Sequence, residues 1–355
     1  MYDIVIVGGG PAGATLSRLI SNKYKVLLLE KRSFQRPLYS GAQKCCGGLL
    51  APDAQKMLAS FGLGLPKKVI IGPQLFAVRT IDFDNSLERY YQRHYINIDR
   101  EEFDLWLESL IPSNVGIING AVYKGHNILK DYVMVEFIKD GKKHTEECRL
   151  IVGADGAFSM VRRCISSGKS FDKTYLAVQE WFESSIDFNF YGAVFDSEIT
   201  DFYSWIIPKE QCLIIGSALK PGPEAVAKFE LLKRRLEAYG FNLEKSIRKN
   251  GTYLLRPANI SQICPGNDKT GLIGEAAGFI SPSSAEGFSY AFRSAAAMAE
   301  ALNQDIKKYF DLYRKFSRKL YMNITLKRLK SPFMYDKLLR KTVMKSGFMS
   351  IDIKG

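Results

Sequence analysis

Residues 3–13 read Asp3-Ile-Val-Ile-Val-Gly-Gly-Gly-Pro-Ala-Gly13, and this stretch decides the fold. Its apolar, β-branched start is typical of a strand buried in a parallel sheet. The glycines that follow have the Gly-x-Gly-x-x-Gly spacing of a turn that binds a dinucleotide. Gly8 permits the tight turn, Gly10 lets the backbone approach a pyrophosphate, and Gly13 allows close packing of helix on strand.

The residues after this turn complete a βαβ unit. Residues 14–22 have a helical pattern, and Lys25-Val-Leu-Leu-Leu-Glu30 is typical of a second buried strand. Glu30 ends that strand, 17 residues after Gly13, where a carboxylate can accept a hydrogen bond from a ribose hydroxyl. Because strand, turn, helix and acid are all in place, the pattern predicts a dinucleotide site rather than an ordinary glycine turn. On these residues alone, FAD and NAD are both open.

Two later blocks, residues 149–156 and 272–278, also have the pattern of a buried strand that ends in a turn. Between the α/β blocks, alternating and aromatic-rich runs are typical of antiparallel strands. The fold class predicted is α/β, with a Rossmann-type nucleotide-binding domain interrupted by an antiparallel β-sheet substrate domain. The predicted boundaries are residues 1–70, 96–172 and 265–305 for the nucleotide-binding domain, 71–95 and 173–264 for the sheet domain, and 306–355 for a basic helical C-terminal region.

Composition excludes several classes of protein. Of the 355 residues, 46% are hydrophobic and 25% are charged, which is ordinary for a folded domain and excludes disorder over most of the chain. The six cysteines have no regular spacing and the three histidines lie far apart, so neither a disulfide framework nor a metal site is predicted. With no apolar run long enough to span a bilayer and no basic signal-peptide region, we expect a cytoplasmic protein.

The net charge of +13 is concentrated near the C-terminus. Residues 307–355 contain fourteen Lys or Arg and three Asp, a local balance of +11. Apolar residues are interleaved with them at spacings of three and four, which is typical of an amphipathic helix. That stripe either packs on the domain or meets an anionic membrane surface; nucleic acid is not expected, because no recognition motif accompanies the charge. The residues of the stripe are Tyr309, Phe310, Leu312, Tyr313, Phe316, Leu320, Tyr321, Ile324 and Leu326.

Residues 153–163 and 274–287, with the N-terminal motif, resemble the three motifs of the flavoprotein monooxygenase and geranylgeranyl reductase superfamily. The resemblance implies non-covalent FAD in a domain of glutathione-reductase-like fold. In that superfamily the acid of the third motif holds the ribitol chain, and Glu275 stands here where Asp is usual. Arg100 is an arginine near the flavin or the pyrophosphate, or else a surface residue; Arg162 and Arg163 either contact the nucleotide or are solvated. The implied cofactor-binding residues are Gly8, Gly10, Pro11, Ala12, Gly13, Glu30, Lys31, Arg100, Val122, Asp155, Gly156, Gly274, Glu275, Gly287 and Phe288.

Two stretches narrow the resemblance to the geranylgeranyl reductase family. Lys44-Cys-Cys-Gly-Gly-Leu49 is similar to the family's Pro-Cys-Gly-Gly loop, and Tyr203-Ser-Trp-Ile-Ile-Pro-Lys209 to its Tyr-x-Trp-x-Phe-Pro-Lys motif. Within the family, residues 47–55 and 274–281 resemble the CbrA subgroup most. The resemblance covers residues 1–350 and implies a site made of Cys46, Gly47, Gly48, Tyr203 and Trp205.

Each of these residues also has a structural interpretation. Cys46 either acts beside the flavin or is a small residue packed in a tight loop, and Tyr203 and Trp205 either line a substrate cavity or are sheet core. Cys45 and Cys46 are either two free thiols, which a reducing cytoplasm favours, or a strained vicinal disulfide.

The resemblance implies a flavin-dependent reductase of carbon–carbon double bonds in an isoprenoid or similar apolar substrate. The alternative is a flavin monooxygenase that hydroxylates an aromatic or polycyclic molecule. A third hypothesis, motivated by the basic tail, is a flavin-bound module that mainly binds membranes. Because no second glycine fingerprint is present, the electron donor is open: NAD(P)H, a ferredoxin or free reduced flavin.

Overall fold

The computed structural model describes residues 1–33, 45–165, 174–184, 188–243 and 245–354. Lys44 and most of the glycine-dense stretch before it therefore lie outside the described residues. The strands are β1 (Tyr2–Val7), β2 (Val26–Glu30), β3 (Leu49–Leu50), β4 (Leu75–Asp82), β5 (Leu87–Asn97), β6 (Gly116–Asn119), β7 (Val122–Ile128), β8 (Val133–Lys139), β9 (Lys142–Gly153), β10 (Thr174–Glu183), β11 (Tyr191–Phe195), β12 (Ser204–Lys209), β13 (Cys212–Leu219), β14 (Ser246–Leu255), β15 (Thr270–Leu272) and β16 (Ser350–Ile351).

The helices alternate with these strands in the first part of the chain and gather at its end. They are α1 (Pro11–Ile20), α2 (Pro52–Ser60), α3 (Arg100–Ser109), α4 (Met160–Ile165), α5 (Ala225–Ala238), α6 (Phe288–Gln304), α7 (Tyr309–Phe316), α8 (Arg318–Tyr335) and α9 (Lys337–Ser346). None of the helices in the described ranges is both long enough and apolar enough to cross a membrane.

The chain divides into two compact units. Residues 306–355, expected as a separate region, are split between them at Lys327. Unit 1 consists of Met1–Gln43, Glu101–Lys173 and Leu255–Lys327, and unit 2 of Lys44–Arg100, Thr174–Leu254 and Arg328–Gly355.

Unit 1 is built on a sheet of strand order β6-β2-β1-β9-β8-β7, with β15 paired to β9. Strands β1, β2, β6, β9 and β15 pair in parallel, whereas β7 and β8 form an antiparallel extension. The centre of β1 is fully buried, as its unbroken apolar sequence predicts. Helix α1 connects β1 to β2 and packs against α6. The Rossmann-type α/β fold predicted from residues 3–30 is confirmed.

Unit 2 is built on a curled sheet of order β14-β10-β13-β12-β11-β4-β5-β16, with β3 paired to β5. The pairs β10–β13, β13–β12, β12–β11, β4–β5, β5–β16 and β3–β5 are antiparallel, whereas β11 and β4 are parallel. One face packs on α5, whose Phe229, Leu232 and Leu236 are buried against Ile206, Ile215 and other sheet residues. The antiparallel sheet that the alternating patterns predict is therefore present, and its other face carries the candidate site.

The basic tail differs from the single amphipathic helix that its spacing predicts. The stripe packs on the domain through Tyr309, Tyr313, Leu320 and Ile324, all of which are buried, and the Tyr313 hydroxyl donates to the carbonyl oxygen of Leu272 at 2.9 Å. Leu326, by contrast, is exposed. Helix α8 continues through Pro332, and α9 and β16 follow it.

Candidate functional site

The turn between β1 and α1 has the conformation that its glycines predict. Gly8 has a φ of +104°, and a Cβ atom there would lie 2.5 Å from the carbonyl oxygen of Ala154. A Cβ on Gly13 would lie 1.9 Å from the carbonyl oxygen of Gly8. Gly10 is the N-cap of α1 and Pro11 is its first residue. The turn is therefore tight. The backbone N–H groups at the amino end of α1, which follows it, favour an anion.

The three motifs of unit 1 converge on this turn. A Cβ on Gly8 would contact Asp155 of the second motif at 3.0 Å, and a Cβ on Gly274 of the third motif would lie 3.1 Å from Ala12. Arg162 connects the second motif to the third, since its guanidinium donates to the carbonyl oxygens of Gln262 at 2.5 Å and Ala276 at 3.4 Å. Stretches that are far apart in the sequence thus lie together around this turn.

Arg162 and Arg163 do not behave as a pair. Arg162 is only 7% exposed and serves the backbone contacts just described, so its side chain is not solvated, and its contact with a nucleotide stays a prediction. Arg163 is exposed and its guanidinium lies over the ring of Phe158.

Glu30 is held by the turn and by a neighbouring arginine. Its carboxylate accepts from the Gly9 amide at 2.6 Å and from the Arg32 amide at 2.9 Å, and it forms an ion pair with the Arg32 guanidinium. Burial raises the pKa of Glu30, but Arg32 and these hydrogen bonds outweigh burial and hold the pKa below its ordinary value. Arg32 also pairs with the buried Asp104 of α3 at 2.8 Å. The carboxylate is therefore ionised and fixed in orientation.

The sequence interpretation missed Arg32 and Asp104. A basic residue two positions after the strand-terminal acid is a weak signal, and nothing in the sequence connects α3 with it. Lys31, between the two members of the Glu30–Arg32 pair, is exposed.

Two features of unit 1 leave room and bonding capacity for a ligand. The Oδ1 atom of Asp155 is buried and has no hydrogen-bond partner within the described part of the chain, whereas its Oδ2 atom accepts from the Met160 amide at 2.7 Å. Burial raises the pKa of Asp155. Built Cβ atoms on Gly156 and Gly287 would meet only open space. Because Gly287 is the N-cap of the 17-residue helix α6, that space lies at a helix amino end.

The remaining predicted cofactor-binding residues differ in burial. Glu275 is half-buried and its Oε1 atom accepts from the Leu255 amide at 3.3 Å. Phe288 packs edge-on against Phe103 in the core, and Val122 is exposed on β7. Their roles toward a cofactor stay predictions.

In unit 2, the Cys46-Gly47-Gly48 loop is fixed by a buried lysine. The Nζ atom of Lys209 donates to the carbonyl oxygens of Ile98 at 2.8 Å and Gly48 at 3.1 Å, and to the side chain of Asn97. Lys209 is 3% exposed, and burial lowers its pKa to about 7. A built Cβ on Gly48, whose φ is +60°, would lie 2.4 Å from the carbonyl oxygen of Ile98, so only glycine fits there, whereas a Cβ on Gly47 would require the end of the Ile207 side chain to move. The lysine ends the predicted Tyr203–Lys209 motif, but its role was not predicted.

The two adjacent cysteines face different partners. The Cys46 sulfur lies 3.6 Å from Nη1 of Arg100 and 3.5 Å from the Gly48 amide nitrogen. The Cys45 sulfur lies 3.5 Å from the side-chain oxygen of Gln179, and burial raises the pKa of Cys45 to about 12. Both are free thiols, as the first interpretation predicts. Arg100, at the start of α3, is therefore next to the cysteine and is able to stabilise negative charge on it.

Tyr203 and Trp205 lie on the face of the sheet opposite α5, which we call the Trp205 face. Strand alternation places Tyr203, Trp205, Ile207 and Lys209 on this one face. A Cβ on Gly216 would lie 2.2 Å from the indole nitrogen of Trp205, so that glycine makes room for the ring. The indole N–H is buried without a hydrogen-bond partner in the described ranges.

The Trp205 face is lined by further aromatic residues. The Tyr191 hydroxyl donates to the Tyr203 hydroxyl at 3.3 Å, and the Tyr191 ring contacts that of Tyr95. Burial raises the pKa of Tyr203 and of Tyr191, so both phenols are protonated. The face thus combines apolar aromatic surface with protonated phenol hydroxyl groups.

This architecture defines a class of protein: a Rossmann-type α/β domain with a curled antiparallel sheet is the fold of FAD-dependent oxidoreductases. The chain belongs to the CbrA family. It is 41% identical to protein CbrA of Escherichia coli O6:H1 strain CFT073 over 350 residues, covering 99% of this chain and 94% of the relative. It is 40% identical to protein CbrA of Shigella sonnei, covering 99% of this chain and 98% of that one. No protein-family model matches the chain.

Solved structures with the same fold include reductase-like proteins, monooxygenases and halogenases. A geranylgeranyl bacteriochlorophyll reductase-like protein from Thermoplasma acidophilum superposes with a TM-score of 0.79 at 17% identity, covering 97% of this chain and 90% of that one. PqsL, a probable FAD-dependent monooxygenase from Pseudomonas aeruginosa, gives a TM-score of 0.71 at 18% identity, with coverages of 98% and 99%. The halogenase PltM, in complex with FAD, gives 0.69 at 15% identity, with coverages of 97% and 79%.

Proposed function

We propose that unit 1 binds FAD non-covalently. The residues present fit the cofactor: the amino end of α1 after Gly10 takes the pyrophosphate and Glu30 takes the adenosine ribose. The proposal is supported by the buried, unpartnered oxygen of Asp155 and by the open space beside Gly156 and Gly287. Polar atoms that are buried without a partner are costly, so a ligand at this place has a physical reason.

We propose further that the chain is a reductase of carbon–carbon double bonds in an isoprenoid or other apolar, lipid-like substrate. The observation that carries this proposal is the Trp205 face, where buried aromatic side chains adjoin the Cys46 loop. An apolar chain gains by burial on such a surface, and its exclusion of water protects reduced intermediates. Bound FAD, once reduced by the electron donor, would supply the electron pair.

The chain's own residues must then supply the proton. Reduction of an alkene adds two electrons and two protons in all, and one carbon takes its proton from an acid in the site. The Cys46 thiol is suited to this step because the Arg100 guanidinium, 3.6 Å away, stabilises the thiolate that remains. The Tyr203 hydroxyl is a second donor on the same face. Lys209 acts through the loop by fixing Gly48 and is a positioning residue.

The alternative function is a flavin monooxygenase that hydroxylates an aromatic or polycyclic small molecule. The similarity in fold to PqsL and the aromatic surface formed by Tyr203 and Trp205 favour this alternative. Under either proposal the electron donor is a diffusible reductant, and NAD(P)H is the first to test.

FAD binding is tested with one glycine substitution and a matched control. Gly10→Glu places a carboxylate at the amino end of α1, and we expect the purified variant to be colourless, since the side chain takes the space of the phosphate and repels it. Gly64→Glu makes the same change at an exposed glycine with open space around it, and should keep its flavin. Full flavin occupancy in Gly10→Glu would overturn the assignment of this site.

The reaction class is tested by photoreducing the protein without oxygen and then adding trial substrates. Flavin reoxidation by an unsaturated lipid under anaerobic conditions supports the reductase. If the flavin reoxidises only when air is admitted, and an aromatic substrate then gains an oxygen atom, the monooxygenase is correct.

A further inference from the structure

The C-terminal segment of unit 2 exposes an unusual number of large apolar side chains. Single exposed leucines are normal on a protein surface, but a dense group of them marks an interaction site. Leu338, Phe348 and Met349 are among the most exposed, at 72%, 70% and 75%. We name the exposed apolar residues of positions 328–354 the C-terminal patch: Leu329, Phe333, Leu338, Leu339, Phe348, Met349, Ile351 and Ile353.

Helix α9 is held to the sheet by its other side. The Arg340 guanidinium pairs with Asp82 at 2.8 Å and with Asp84 at 2.7 Å, and all three are buried or nearly so. Met344, one turn further on, is buried, and its carbonyl oxygen accepts from Arg89 at 2.9 Å. Since Arg340 and Met344 hold α9 on the sheet, Leu338, which is 72% exposed, contributes little to that contact.

The outward face of α9 mixes apolar and basic residues. Leu338, Thr342 and Lys345 follow at helical spacing and are all exposed. Beside them, Asp336 caps the helix by accepting from the amides of Leu338 and Leu339, which fixes both leucines at the exposed amino end. The fold thus presents these leucines to solvent.

The charge around the patch selects the partner. Apart from Arg340, which is neutralised by its two aspartates, residues 328–354 contain six Lys or Arg and two Asp. Exposed leucine, phenylalanine and isoleucine among lysines are what an anionic bilayer surface binds, because apolar groups enter the interface while ammonium groups meet lipid phosphates. A second copy of the chain fits less well, since a symmetric contact would bring two basic surfaces together.

We propose that the C-terminal patch docks the protein on an anionic lipid bilayer. Docking needs neither FAD nor turnover, so it stands or falls separately from the proposed enzyme activity. Docking would place the protein at the bilayer, where an apolar lipid-like substrate would be dissolved.

The test is co-sedimentation of the full-length protein with vesicles, at low and at high salt. Vesicles of phosphatidylcholine are compared with vesicles of equimolar phosphatidylcholine and phosphatidylglycerol. We expect binding to the anionic vesicles only, and release as salt rises. Equal binding to both kinds of vesicle, or binding to neither at low salt, would refute the proposal.

Two sets of variants separate the patch from total charge. The triple variant Lys330→Glu, Lys337→Glu, Lys345→Glu should bind at least about tenfold more weakly, and Leu338→Ser with Phe348→Ser should also lose binding. The control Lys124→Glu, Lys130→Glu, Lys142→Glu changes net charge equally at exposed lysines of unit 1 and should stay within about twofold.

Thermal unfolding and flavin content check that every variant is folded. An equal loss of vesicle binding in the control variant would mean that binding depends only on total charge, and would overturn the proposal. A dimer in solution that the leucine variant dissociates would assign the patch to a second copy and likewise overturn the proposal.

Discussion

The Nζ atom of Lys209 lies 2.5 Å from the side-chain oxygen of Asn97, where both residues are buried. Asn97 in turn donates to the carbonyl oxygens of Pro73 and Pro208, so the pair links β5, β12 and the loop before β4. Lys209 also donates a hydrogen bond to the carbonyl oxygen of Gly48, and so holds the loop that contains Cys46 against these strands. A buried lysine thus positions a loop that has few side chains of its own.

The titration of Lys209 gives the first prediction. Burial lowers its pKa to about 7, whereas in the unfolded chain a lysine titrates near about 10.4. Between these values the unfolded chain holds a proton that the folded chain lacks. The free energy of unfolding therefore rises with pH across this window, by at most about 1.4 kcal/mol per pH unit. Lys209→Met removes the group, so the stability difference between wild type and variant should grow from about pH 7 to about pH 10.

Urea unfolding of both proteins across this range measures the difference. A difference that is constant with pH would mean that Lys209 stays charged in the folded protein, held by its three acceptors.

Cys46→Ser should keep its flavin and lose turnover. If the thiol donates a proton, replacing it with a much weaker acid costs about 100-fold or more in kcat. Turnover is measured with the first substrate that reoxidises the photoreduced protein. Cys212→Ser, at the start of β13, is the matched control and should retain full activity. Unchanged kcat in Cys46→Ser would assign the cysteine to packing and leave Tyr203 as the candidate acid.

Gly216→Ala tests the space that holds Trp205. The added methyl would lie 2.2 Å from the indole nitrogen, so the ring must shift. We expect a loss of about 1–3 kcal/mol in stability and a changed tryptophan emission, with FAD content intact. Gly251→Ala is the control, because the nearest atom to its built Cβ is 3.4 Å away. Unaltered emission and activity in Gly216→Ala would show that the Trp205 face tolerates repacking.

Arg32→Met should destabilise unit 1 most at neutral pH. The substitution leaves the carboxylates of Glu30 and Asp104 buried without their cation, which costs about 3–5 kcal/mol. Because the folded pKa of Glu30 lies below its ordinary value, the stability that Arg32 provides is present at neutral pH and is lost as pH falls through that pKa. Unfolding midpoints of wild type and variant should therefore approach each other in acid. Arg163→Met, at an exposed arginine, should change stability by no more than about 0.5 kcal/mol.

The elements that depend only on residues close together in the chain could be predicted from the sequence. The strand at residues 3–7, the glycine turn and Glu30 form one contiguous unit, and each residue type there answers a steric or electrostatic need of its near neighbours. The same holds for the turn at 274–278. Antiparallel strands in the middle of the chain were predictable as a class, because alternation depends only on which face is buried.

Only the tertiary structure decided which distant residues meet. Arg32 with Asp104, Arg100 with Cys46, and Lys209 with Gly48 are separated by 72, 54 and 161 positions. Strand register and loop closure bring each pair together, and these depend on the packing of a whole sheet. The space for the Trp205 ring likewise exists because a glycine on the next strand faces it.

Some features of the basic tail were determined by the sequence and others only by the tertiary structure. The sequence by itself determined the charge and the helical period of the tail, because both depend only on which residues occur there and at what spacing. It left open which apolar side chains turn inward, and the structure buries Tyr309, Tyr313, Leu320 and Ile324 while leaving Leu338 and Phe348 exposed. A helix with apolar residues on several faces can dock by any of them, and the surface against which it packs, here including the Asp82 and Asp84 carboxylates that hold Arg340, selects one.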